Sequence, residues 1–190
     1  MRGGVRAIQL REKDLPPRSL LAMARDLVEL AHAYDAKLLV NERADLCLAS
    51  NSDGVQLPAE GLSAVVARGV VGSDRLLGVS THSADEAVRA EAEGADFILL
   101  GPIFDTPSKR AYGAPIGLRE LERARNRCRT PLFGIGGITP ARVRDVLRAG
   151  AHGVSVIGSV MGAADVEQVS RDFLNALACE NHRGPAGEVG

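Results

Sequence analysis

Seven short apolar runs recur along the chain, each followed by a longer stretch in which apolar residues return every three or four positions. The runs lie at 5–10 (VRAIQL), 37–41 (KLLVN), 54–57 (GVQL), 76–80 (LLGVS), 96–101 (DFILLG), 131–135 (PLFGI) and 153–157 (GVSVI). Most are continuously apolar rather than alternating, as parallel strands buried on both faces must be. The periodic stretches predict helices near 19–34, 43–50, 61–68, 83–93, 117–128, 139–149 and 163–178. Local punctuation agrees. Ser83-Ala-Asp-Glu86 has the form of a capping box, Thr139-Pro140 places an N-cap before a first-turn proline, and Gly94 and Gly150 stand at helix ends. Each of these two glycines opens a similar segment, GADFI and GAHGV, a weak echo of one repeated βα unit.

Successive βα units with no antiparallel signature predict an α/β fold of the (β/α)8 TIM-type barrel class. An open dinucleotide-binding sheet is disfavoured, because no GxGxxG follows the first run. The count is one short of eight, so the barrel is expected to lack its first strand in this chain. Residues 1–178 form the single predicted domain. Residues 179–190, polar and glycine-rich, form a predicted flexible tail.

Composition narrows the function classes. With 23 Lys+Arg against 24 Asp+Glu, the net charge of −1 carries no electrostatic footprint for nucleic acid or an anionic membrane. No apolar run approaches the roughly 20 residues of a membrane span. The N-terminus reads as having no signal peptide. Cys47, Cys128 and Cys179 are scattered and odd in number, which argues against a disulfide framework or zinc site and for a reducing cytoplasm.

Chemistry in such barrels gathers at the C-terminal ends of the strands. The first run ends in Gln9, Arg11 and Lys13 on one alternating face: a grip for a phosphate or diphosphate, or a solvated surface run. The second ends in Asn41-Glu42-Arg43, where Glu42 is placed either to hold Mg²⁺ or to pair with Arg43. The fourth ends in Ser80-Thr81-His82, three polar groups at a strand mouth. The fifth runs into a long loop, 101–109, whose Thr106, Ser108 and Lys109 suit a segment closing over an anion. Gly134-Ile-Gly136-Gly137 and Val156-Ile157-Gly158-Ser159 end the last two runs, where barrels of this class bind phosphate through backbone amides.

The series IQLREK, NERADLCLA, GVQLP, GVSTHS, ADFILLGPIFDTPSK, GIGGIT and GVSVIGSV resembles the thiamine phosphate synthase and thiazole tautomerase superfamily, over residues 4–162. The resemblance implies a (β/α)8 barrel whose members usually begin one strand earlier. It implies a cytoplasmic thiamine-biosynthesis transferase acting on phosphorylated pyrimidine and thiazole substrates, with no nucleic-acid or membrane partner. Carried over by match, Gln9, Arg11, Lys13 and Lys109 hold and neutralise a diphosphate, and Asn41 and Ser80 contact the pyrimidine. Thr106 and Ser108 lie in the loop over the thiazole phosphate, to which Gly137, Ile157 and Gly158 offer amides. Mg²⁺ is implied too, but the pattern's first Asp is Glu42 here, and Gly61, beside Glu60, stands where it has a second. GVQLP looks more like the tautomerase branch, whereas Pro102 stands where that branch has a His, leaving His82 as the nearby imidazole. A tautomerase-like isomerase and a non-catalytic thiamine phosphate-binding barrel are therefore the alternatives. An unpaired barrel edge would encourage self-association into a homo-oligomer.

Overall fold

The computed structural model describes residues 1–106 and 114–181. Seven strands form one parallel sheet in simple sequence order: β1 (Ala7–Leu10), β2 (Lys37–Asn41), β3 (Gly54–Leu57), β4 (Leu76–Thr81), β5 (Phe97–Leu100), β6 (Leu132–Ile135) and β7 (Gly153–Ser155). Every predicted strand is present. The helices are α1 (Pro17–His32), α2 (Ala44–Ser50), α3 (Ala64–Val71), α4 (Ala84–Ala92), α5 (Gly117–Arg125), α6 (Val143–Arg148), α7 (Gly158–Met161) and α8 (Val166–Asn181). Seven of them answer the predicted helices; α7, four residues long, was not expected. The expected eight-stranded barrel is seen only in its coarser form. Seven strands curl in barrel order, and β1 and β7 are not paired with each other.

Residues paired across a parallel ladder point to the same face. The register Leu39↔Gly54, Asn41↔Gln56↔Gly78↔Phe97 and Ser80↔Leu99↔Phe133↔Gly153 therefore divides the sheet. The outer face carries Leu38, Val40, Val55, Leu57, Leu77, Ile98, Leu100 and Leu132, all fully buried against helices. α4 packs through Ala84, Ala87 and Ala90, small residues that bring its axis close to the strands. The inner face mixes polar groups with two large rings. Phe97 and Phe133 meet edge to face with centroids 6.0 Å apart. Room for them comes from glycine: a Cβ on Gly78 would lie 2.2 Å from the Phe97 ring, and one on Gly153 would lie 3.0 Å from Phe133. Large and small side chains thus alternate across the lumen, as the taper of a small barrel requires.

The helix ends refine the sequence expectations. Ser83 accepts from the Glu86 amide, but Glu86 returns its carboxylate to the His82 N–H, one residue earlier than a regular capping box. Gly94 and Gly150 take φ of +89° and +98°, the left-handed conformation expected at helix ends. α3 is displaced to 64–71 from the predicted 61–68 because Ser63 caps it and Gly72, at φ +76°, stops it. No helix among the described residues is long and apolar enough to cross a membrane.

Candidate active site at the strand mouths

All seven strands are parallel, so their C-terminal ends and the loops that follow lie at one rim of the sheet. Most of the sequence-predicted residues gather there. On the β1–β4 side, half-buried Gln9 donates through Nε2 to Asn41 Oδ1 at 2.9 Å. Asn41 ends β2 beside Gln56, whose Nε2 donates to Ser80 Oγ at 3.0 Å. An inward polar row thus spans four adjacent strands. Arg11 and Lys13 project just beyond β1, exposed, and neither pairs with an acidic side chain among the described residues. Two cations facing solvent beside a polar lumen make an anion-attracting rim.

Glu42 stands one residue past β2, exposed, with its N–H donating to Gln56 O at 2.8 Å. Its φ of +64° places a side-chain-bearing residue in the left-handed region. The ion pair with Arg43 that the sequence allowed does not form. Asp45 accepts from Arg43 Nε and Nη2 instead, at 2.8 and 2.6 Å, and the guanidinium holds the Asp45 carboxyl below the usual carboxylate range.

Where β4, β5 and β6 end, an open cavity of about 80 Å³ is lined by Ser80, Thr81, His82, Leu99, Gly101, Pro102, Ile135 and Gly136. The segment after β5 lies directly on the end of β6: Ile103 and Phe104 donate to Ile135 O and Gly136 O at 2.8 and 3.1 Å. Gly136 and Gly137 have φ of +96° and +63°, and a Cβ on either would strike Pro102 or Asp105. These two glycines are demanded by the backbone. Gly158 is not, since nothing lies within 4 Å of the place a Cβ would occupy. Together with exposed Ile157, it opens α7 at the rim and leaves backbone accessible from solvent. Ser159 Oγ donates to Ile138 O at 2.6 Å and ties the two loops together.

Thr106 is half-buried at the far end of the described β5 segment, while Ser108 and Lys109 lie outside the described residues. Two residues at the site escaped the sequence reading. Gln56 was hidden in an apolar strand, its only signal being an amide inside GVQL. Arg142 sits 4.6 Å from the Phe104 ring centroid and donates to Gly137 O at 2.7 Å, bracing both loops; only its place in the first turn after Thr139-Pro140 hinted at this.

No group of three or more His, Cys, Asp or Glu side chains able to hold a metal assembles among the described residues. Gly61 offers no side-chain ligand, and Glu60 is exposed. The donor set therefore builds no protein cage. It fits a Mg²⁺ ion carried mainly by phosphate oxygens and water, for which one carboxylate suffices.

Comparison with known proteins adds to this geometry. A family model described as thiamine monophosphate synthase matches residues 1–160. The chain is 46% identical over 175 residues to a protein of Geobacter sulfurreducens named putative thiamine-phosphate synthase, covering 92% of this chain and 82% of that one. It is 47% identical over 169 residues to the thiamine-phosphate synthase of Moorella thermoacetica, covering 89% and 80%. Among solved structures, the thiamine phosphate pyrophosphorylase from Pyrococcus furiosus superposes with a TM-score of 0.87 at 35% identity, over 96% of this chain and 87% of that one. A 3-hexulose-6-phosphate synthase, at 22% identity and a TM-score of 0.67, shares the fold alone. With its rim of cations, its polar lumen and its paired loops on β6 and β7, the chain belongs to the thiamine monophosphate synthase family.

Proposed function

We propose that this protein is a thiamine-phosphate synthase of thiamine biosynthesis, joining an aminopyrimidine methyl diphosphate to a thiazole phosphate. The observation that carries the reading is the division of the rim. Polar side chains and cations cluster on β1–β4, and exposed backbone clusters after β6 and β7, an arrangement that suits two phosphorylated substrates side by side.

The pyrimidine ring sits over the row formed by Gln9, Asn41 and Ser80. Arg11, Lys13 and Lys109 surround its diphosphate. The methylene C–O bond breaks, and its electron pair leaves with the diphosphate, whose growing charge these cations stabilise. The ring shares the positive charge left on the methylene carbon. The thiazole ring nitrogen then donates its lone pair to that carbon, giving thiamine phosphate and free diphosphate. Gly137, Ile157 and Gly158 offer amides to the thiazole phosphate, with Thr106 and Ser108 on the loop over it. When bound, Mg²⁺ neutralises part of the diphosphate charge, and Glu42 is the residue that would hold it. The seven strands fill seven positions of a (β/α)8 barrel.

One observation favours a second reading. His82 lines the same cavity as Ser80, with Nδ1 3.5 Å from Glu86, where a tautomerase-like isomerase would need a proton carrier. Pro102, at the place where that branch has its His, supports the synthase instead. The deciding experiment is an assay with both synthase substrates, with and without Mg²⁺, detecting thiamine phosphate by its fluorescent oxidation product. Mg²⁺-dependent product is expected. No product, together with isomerisation of a thiazole carboxylate phosphate that fails in His82→Ala, would overturn the reading in favour of the isomerase.

A further inference from the structure

Gln56 is 3% exposed in the middle of a strand whose other residues are apolar. Its Nε2 donates to two acceptors, Leu57 O at 3.3 Å and Ser80 Oγ at 3.0 Å. The first bond fixes the sense of the second. A backbone carbonyl only accepts, so the NH₂ group must face Leu57 O, and the Ser80 hydroxyl must therefore act as the acceptor from Gln56. The other side of the amide does not compete: Oε1 lies against Gly78 and has no hydrogen-bond partner among the described residues. A hydroxyl whose oxygen is engaged in this way keeps one proton to give. Ser80 lines the open cavity together with Thr81, His82 and Pro102, so that proton is available to a ligand there.

We propose that Gln56 is a positioning residue that fixes Ser80 as a hydrogen-bond donor, so that the site selects a heterocycle presenting a ring-nitrogen acceptor. This rests on the synthase reading, in which Ser80 meets the aminopyrimidine. Gln56 itself does not touch the substrate. Its effect is to occupy one of the two hydroxyl lone pairs and to exclude the orientation in which Ser80 gives its proton to the amide, so that the proton is left for the ring nitrogen. The amide is well placed for this, because burial beneath Ser80 shields the pair from water that would otherwise exchange the roles.

The test is calorimetric binding of three probes: the aminopyrimidine methyl diphosphate, the two aminopyridine analogues in which one or the other ring nitrogen is C–H, and inorganic diphosphate. The wild-type protein should prefer the pyrimidine over at least one analogue by tenfold or more. In Gln56→Glu, assayed at alkaline pH so that the buried carboxyl is ionised, the group only accepts, so Ser80 turns its proton inward, and the preference should fall to within twofold while diphosphate affinity stays unchanged. Gln56→Met removes the donor without reversing it and should lose part of the preference. Melting curves establish that each variant is folded, and the Met variant decides alone if the Glu variant is not. Folded variants that keep the wild-type preference would overturn the proposal, as would a wild-type protein that binds all three heterocycles equally. A wild-type protein that binds diphosphate but not the aminopyrimidine would instead remove the synthase reading, and this role with it.

Discussion

Ser159 Oγ lies 2.6 Å from Ile138 O, so the first turn of α7 hangs from the loop that follows β6. The bond joins the two segments that offer backbone amides at the rim, and Ile138 is itself only 2% exposed. Ser159→Ala should cost about 1 kcal/mol of stability, the usual net worth of such a bond. Its larger effect should be on binding: KM for the thiazole phosphate rises several-fold, while KM for the pyrimidine diphosphate is unchanged. Steady-state kinetics with each substrate varied in turn would show this, and equal changes in both constants would refute it.

Gly158 gives a cleaner separation of fold from site. A Cβ there meets nothing within 4 Å, and α7 begins at this residue, so Gly158→Ala should leave the melting temperature unchanged or slightly raised. The added methyl would nevertheless stand beside the amide proposed to meet the thiazole phosphate. We expect at least tenfold weaker thiazole phosphate binding from a folded protein. Undiminished binding would place the phosphate elsewhere.

Two other glycines should respond in opposite directions. A Cβ on Gly78 would lie 2.1 Å from Gln56 Oε1 and 2.2 Å from the Phe97 ring, so Gly78→Ala should cost about 1–3 kcal/mol through overpacking of the lumen. Gly69, inside α3, has open space around it, and Gly69→Ala should gain about 0.5–1 kcal/mol by lowering the freedom of the unfolded chain. Denaturant melts of both variants test this. A destabilised Gly69→Ala would show that the outer face of α3 is not as open as it stands here.

The strands were legible because parallel strands covered on both sides must be nearly continuous apolar runs, and LLV, FILL and LLGV are such runs. The misreadings fall where that rule ends. The run GVSVI predicts a strand throughout, yet pairing stops at Ser155 and Ile157 turns outward, 57% exposed, ahead of α7. A β-branched residue at a strand end carries no local mark of having left the sheet. At the rim, Gln9, Asn41 and Ser80 are visible in the sequence because each lies in the last two positions of its strand and further polar residues follow it. Gln56 pairs directly with Asn41, but apolar Leu57 and Pro58 follow it, so its place in the polar row is visible only once β3 is aligned between β2 and β4. Gly136 and Gly137 answer a backbone demand as well, through positive φ and the close approach of Pro102 and Asp105, and that demand leaves the proposed phosphate contact of the Gly137 amide in place.

At the opposite rim, two carboxylates should set the acid stability. Burial pushes Asp53 upward, but the Leu38 N–H, His32 and Lys37 outweigh it and hold its pKa below the usual carboxylate range. Glu91 is likewise raised by burial and then lowered further by the Thr130 and Arg129 N–H groups and the Thr130 hydroxyl. Since the folded pKa lies below the unfolded one, each contributes stability that is fully present above the unfolded value and is lost as pH falls through the folded value. Thermal melts should therefore show the melting temperature dropping as pH is lowered below the ordinary carboxylate range. Asp53→Asn and Glu91→Gln should both flatten that drop and lower stability near neutrality. A drop as steep in the double variant as in the wild type would assign the acid sensitivity to other groups.

Glu42 sets stability against chemistry at a single position. Its φ of +64° costs an L-residue roughly 1–2 kcal/mol, a strain that glycine does not feel, although glycine returns part of the gain as extra freedom in the unfolded chain. Glu42→Gly should therefore be slightly more stable than the wild type, with a melting temperature higher by about 2–4 °C per kcal/mol for a chain of this size. A strained residue that persists at a strand mouth points to use there. The same variant should lose at least tenfold of its Mg²⁺-supported turnover and much of its response to the ion, because Glu42 is the carboxylate at the end of β2. Glu42→Asp keeps a carboxylate on a shorter arm and should recover part of the turnover with none of the added stability. If Glu42→Gly is stabilised yet keeps full Mg²⁺-dependent activity, the ion is held without this side chain, and the left-handed turn serves only to start α2.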